Sequence, residues 1–121
     1  METVRHWINN EYSAGAPEDR DTADVTNPAT GEVTGRVHMG TAATADEAVA
    51  AAKAAFPAWR DTSLTKRMQV LFRYRELLNA RKEELAALIT AEHGKVLSDA
   101  GGEIARGLEV VELATAFPNL L

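Results

Sequence analysis

The chain divides by where its helix breakers fall. Residues 1–40 carry Gly15, Pro17, Pro28, Gly31, Gly35 and Gly40, whereas residues 41–121 hold most of the alanines in long stretches that few glycines or prolines interrupt. Glycine and proline punctuate turns, and alanine is the best intrinsic helix former. The first part therefore reads as strands and turns and the second as helices. The fold class expected of the segment is α+β: short amino-terminal strands followed by about four helices.

Local chemistry sharpens the first part. Val4 to Ile8 and Glu11 to Ser13 flank Asn9-Asn10, and asparagine tolerates positive φ, so the pair suits a two-residue hairpin turn. Residues 14–21 are polar and turn-rich and read as a loop. Thr22 to Thr26 is a short strand, Asn27-Pro28-Ala29-Thr30-Gly31-Glu32 a turn, and Val33 to His38 the returning strand. Proline presets φ in such a turn, and glycine supplies its left-handed position. Four short strands bury little on their own, so they need a surface to lie on.

Helical signals follow. Thr44-Ala45-Asp46-Glu47 has the form of a capping box, in which a threonine hydroxyl and a glutamate satisfy two unpaired amides reciprocally. The helix expected after it runs through Ala48–Ala55 and ends near Pro57, with Val49, Ala52 and Phe56 along one side. A second helix is expected over 63–80, with Met68, Leu71, Phe72 and Leu78 on one face and Val70, Tyr74 and Leu77 widening it. A third covers 82–93, with Leu85, Leu88 and Ile89 inward and Gly94 as its left-handed end. Ser98 or Asp99 caps a fourth, whose face holds Ile104, Leu108, Val111 and Phe117.

At 121 residues, 45% hydrophobic and 26% charged, the composition is that of a single soluble globular domain. A chain of this size buries roughly two-thirds of its extended surface, so a true core is possible, with Trp7 and Trp59 as its anchors. Cysteine is absent, which excludes disulfides, thiolate metal sites and a cysteine nucleophile within these residues. The net charge of −5 argues against a nucleic-acid partner. No apolar run approaches a membrane span and the start resembles no signal peptide, so a cytoplasmic location is expected. The final Pro118-Asn119-Leu120-Leu121 has no polar tail, and it reads as a cut through something larger.

No motif points to a reaction centre. His6, His38 and His93 are too scattered for a metal site. Gly101-Gly102 belongs to no phosphate-binding loop and reads as a first helical turn that permits close packing. Asp46-Glu47 and Glu83-Glu84 fall in expected first turns, where negative charge suits the helix dipole, and Glu109/Glu112 lie within a helix. The run Lys66, Arg67, Arg73, Arg75, Arg81 and Lys82, opposed only by Glu76, reads as a solvated or acid-facing helix surface rather than a DNA-reading one.

Several runs nevertheless resemble the amino-terminal region of the aldehyde dehydrogenase superfamily. They are Trp7-Ile8-Asn9-Asn10-Glu11-Tyr12, Asn27-Pro28-Ala29-Thr30-Gly31-Glu32-Val33, Ala55-Phe56-Pro57-Ala58-Trp59 and Glu92-His93-Gly94-Lys95, with Arg67, Leu71 and Glu84-Leu85-Ala86 between them. The stretch from Glu92 through Asp99-Ala100, Gly102-Glu103 and Arg106 to Glu112, with Pro118, is similar to the CoA-acylating methylmalonate-semialdehyde dehydrogenase branch.

The resemblance implies an α/β family fold. Residues 1–40 would be its strand-and-turn hairpin arm. Residues 41–121 would be a helical segment of the dinucleotide-binding domain, stopping before the Rossmann core. It implies NAD and CoA as cofactors of the whole enzyme and none bound by this segment. The family's nucleophile, general base and dinucleotide-binding units match positions later than 121, so no catalytic, cofactor-binding or metal-ligating residue is assigned here. Expected partners are the remainder of the dehydrogenase chain and a second copy of this one, with neither nucleic acid nor membrane. The alternative is a free-standing helical interaction module or complementing subunit.

Overall fold

The computed structural model describes residues 2–13 and 21–120, so most of the loop expected over residues 14–21 lies outside them. The chain separates into two compact units, residues 1–61 and 62–121.

Among the described residues the first unit contains five strands, β1 (Glu2–Val4), β2 (His6–Ile8), β3 (Glu11–Ser13), β4 (Thr22–Thr26) and β5 (Val33–His38), followed by helix α1 (Ala42–Asp61). The hairpin forms as the asparagines dictate. β2 and β3 pair antiparallel with Trp7 opposite Tyr12, and Asn9 and Asn10 both take positive φ, 53° and 64°. Trp7 and Tyr12 meet edge to face with ring centres 4.6 Å apart. The Arg5 guanidinium lies 4.9 Å from the Tyr12 ring centre, a cation–π contact that stiffens an exposed pair.

The second sheet has the order β1-β5-β4. β4 and β5 are antiparallel, with Val25 opposite Gly35. Between them Gly31 has φ 74°, its amide donates to the Asn27 carbonyl at 2.8 Å, and the Ala29 amide donates to Asn27 Oδ1 at 2.9 Å. β1 was not expected as a separate strand. It leaves the hairpin at Arg5 and pairs parallel with β5, Val4 beside Val37, which places β5 in the centre of the sheet.

Helix α1 departs from expectation at both ends. It starts at Ala42 with Thr41 before it, so the reciprocal box is Thr41 with Thr44: the Thr44 amide donates to Thr41 Oγ1 at 3.4 Å and the Thr41 amide to Thr44 Oγ1 at 3.3 Å. Asp46 and Glu47 consequently fall beyond the first turn. Pro57 lies inside the helix instead of ending it. Proline cannot donate to the carbonyl four residues back and costs about 3 kcal/mol within a helix. Here it sits on an exposed surface, where water can solvate that carbonyl and the helix continues to Asp61. The Val49 and Phe56 side is exposed rather than buried.

The second unit is helical: α2 (Leu64–Ala80), α3 (Lys82–His93), α4 (Leu97–Thr115) and a closing 3-10 turn, Phe117–Asn119. Ser63 caps α2, its hydroxyl accepting from the Lys66 amide at 3.4 Å. Arg81 alone separates α2 from α3. Gly94 ends α3 with φ 83° and donates to the Thr90 carbonyl. Neither Ser98 nor Asp99 caps α4. Its cap is Val96, with no side-chain bond, and Asp99 instead places its charge in the first turn, where the helix dipole favours it.

α4 packs against both α2 and α3. The seam is built from small residues: Ala86 is 4% exposed and Ala100 fully buried, while Met68, Leu71, Leu78, Leu85, Ile89, Ile104, Leu108 and Val111 are half-buried. Phe72, Val70, Tyr74, Leu77, Leu88 and Phe117 all remain exposed, as do Trp7 and Trp59. Trp7 and Trp59 anchor no core among the described residues, whose buried side chains are the small Thr44, Ala86 and Ala100.

Candidate functional site

Within the helical unit the end of α2, the start of α3 and one face of α4 wall a cleft of about 570 Å³. Ala86, Leu97, Ile104, Ala105 and Leu108 make it apolar, with Gly101 in its wall and Asn79, Lys82 and Glu83 supplying its polar rim. The position of Gly101 keeps this wall low, since a Cβ built there would meet nothing within 4 Å; the same holds for Gly102 and Gly107. Gly101 and Gly102 fall in the second turn of α4 rather than the expected first, and they do not serve close packing among the described residues. Apolar matter fits such a cleft, with the charges of Lys82 and Glu83 confined to its rim.

Ion pairs hold the helices around it. Arg75 on α2 bonds Glu112 on α4, Nη2 to Oε1 at 2.7 Å, and also Glu76, Nη1 to Oε1 at 2.9 Å. Arg81 grips Glu84 through two parallel bonds, Nε to Oε2 at 2.8 Å and Nη2 to Oε1 at 2.6 Å, and that fork holds the Glu84 carboxyl below its ordinary range. Lys95, just after the α3 end, pairs with Glu103 on α4. This hydrogen bond, together with the charges of Lys95, His93 and Arg106, outweighs desolvation and lowers the Glu103 carboxyl.

Of the residues singled out by sequence, Arg75 meets Glu112 and Glu76, and Arg81 meets Glu84, but the histidines and paired carboxylates gather into no single site among the described residues. His6 and His38 lie on β2 and β5, in different sheets, with His6 Nε2 and His38 Nδ1 buried and without a hydrogen-bond partner among the described residues; His93 ends α3. Among those residues no three His, Asp or Glu side chains group closely enough to hold a metal ion. Glu83 and Glu84 do occupy the first turn of α3, and Glu112 serves as the partner of Arg75. The basic run is partly neutralised internally, through Arg75 and Arg81. The sequence does not mark Leu97, Gly101 and Ala105 as lining residues, because their i, i+4, i+8 spacing includes only one large apolar side chain.

One strand-to-helix turn within the first unit, β5 into α1, carries a single glycine, Gly40, and threonine hydroxyls already serve its first amides. A dinucleotide-binding turn uses three glycines to bring helix amides against a pyrophosphate. Among the described residues no helix is long and apolar enough to cross a membrane.

The aldehyde dehydrogenase family model matches residues 16–120. The chain belongs to the aldehyde dehydrogenase family. Within it, malonate-semialdehyde dehydrogenase of Pseudomonas aeruginosa is 46% identical over 121 residues, covering all of this chain and 24% of the relative. The rat mitochondrial methylmalonate-semialdehyde/malonate-semialdehyde dehydrogenase [acylating] (Rattus norvegicus) is 53% identical over 119 residues, covering 98% of this chain and 22% of the relative.

The aldehyde dehydrogenase fold is shared as well. A crystal structure described as a methylmalonate-semialdehyde dehydrogenase from Sinorhizobium meliloti 1021, complexed with NAD, superimposes with a TM-score of 0.92 at 40% identity, covering 99% of this chain and 24% of that one. The chain thus spans about a quarter of the length of the curated relatives it matches.

Proposed function

We propose that these 121 residues are the amino-terminal part of an NAD-dependent, CoA-acylating malonate- or methylmalonate-semialdehyde dehydrogenase. The observation that carries this reading is 46% identity to a malonate-semialdehyde dehydrogenase across the whole of this chain. In such an enzyme a thiolate adds to the aldehyde carbon and a hydride leaves for NAD. The resulting thioester would lose its free carboxyl group as carbon dioxide, and its acyl group would then pass to the sulfur of CoA, releasing the thiolate. A thiolate suits both steps, being strongly nucleophilic and giving a thioester that transfers readily.

On this proposal the segment does none of that chemistry. The absence of cysteine supports it, as does a strand-to-helix turn with one glycine rather than three. No residue here is assigned to catalysis, to NAD, to CoA or to a metal. Residues 1–40 act as a hairpin arm and 41–121 as a helical segment of the dinucleotide-binding domain, their apolar faces meeting the remainder of the dehydrogenase or, when the segment is alone, a second copy of it.

The test is an NAD-reduction assay with malonate semialdehyde and CoA on the purified 121-residue chain, beside the full-length Pseudomonas relative. Turnover from the relative alone is the expected result. Turnover from a chain of 13.1 kDa confirmed by intact mass would overturn the assignment of the chemistry to residues outside it.

A further inference from the structure

We draw no further inference here: the strongest candidate, the apolar cleft walled by the end of α2, the start of α3 and the Leu97, Gly101 and Ala105 face of α4, carries none because nothing in the structure shows what covers it.

Discussion

Arg75 ties α2 to α4 through Glu112, 37 residues away in sequence, with both Nε and Nη2 of the guanidinium reaching the same carboxylate oxygen at 2.9 and 2.7 Å. The pair is partly open to water, so its contribution to stability is small and falls with salt. Arg75→Ala and Glu112→Ala are expected to lower the melting temperature slightly and non-additively, with the coupling vanishing at high salt. Because Arg75 also holds Glu76, Arg75→Ala is the more damaging of the two. Strictly additive effects at every salt concentration would show that the contact contributes nothing.

Ala100 has no exposed surface and sits where α4 packs on its neighbours. Ala100→Leu is expected to destabilise the helical unit by about 1–3 kcal/mol, since extra methylenes in a packed seam force neighbours apart. Gly107→Ala has the opposite sign: its Cβ meets nothing, and alanine is better than glycine inside a helix by about 1 kcal/mol. Urea unfolding followed by helical circular dichroism separates the two. A destabilising Gly107→Ala would mean that another surface lies against α4 in solution.

Two turns depend on positive φ and can be tested locally. Gly94→Ala places a Cβ at φ 83° and is expected to cost about 1–2 kcal/mol. Asn10→Val puts a β-branched side chain at φ 64° and should open the hairpin, releasing Trp7 from Tyr12. Trp7 emission in a Trp59→Phe background reports this. Unchanged emission in the valine variant would show that the hairpin does not rest on its turn.

These turns were legible in the sequence because their chemistry is local: Asn9-Asn10, Asn27 to Glu32 and Gly94 each specify backbone angles within a few residues. The ends of α1 and α4 were not. A capping motif at Thr44 competes with Thr41, three residues earlier, and a proline such as Pro57 disfavours a helix without always ending it. Burial was least legible, because an apolar stripe marks a surface that can be covered without saying what covers it. Leu85 and Leu88 look alike in sequence, yet Leu85 is half-buried while Leu88 is exposed. The candidate cleft is hidden because Ala86, Gly101 and Ala105, three of its nine lining residues, leave no apolar stripe for the sequence to mark.

Acid sensitivity should centre on Glu103 and Glu84. Lys95 and Arg81 respectively hold their carboxyls below the ordinary glutamate value of 4.5. A carboxyl that ionises at lower pH when folded stabilises fully above its unfolded value. That contribution is lost as pH falls through the folded value. The expected result is a melting temperature flat near neutrality and falling below about pH 4.5, with a shallower fall in the Glu84→Gln, Glu103→Gln double variant. Identical acid limbs in the parent and the variant would place the lost protons on other carboxylates.

Self-association is the most consequential expectation for the chain alone. Phe72, Tyr74 and Leu77 on α2, Leu88 on α3 and Val110 and Leu113 on α4 all remain exposed. Burying one leucine stabilises by about 1.5–3 kcal/mol, so even partial coverage of several can offset the cost of association, about 4–15 kcal/mol. Light scattering at tens of micromolar is expected to give a dimer or larger species. Leu77→Glu with Leu113→Glu should return it to a monomer while helical circular dichroism is retained, since neither side chain contributes to the buried seam. A monodisperse monomer for the parent chain would refute the expectation, and a double variant that stays associated would move the contact to another face, with Leu88 the next substitution to make.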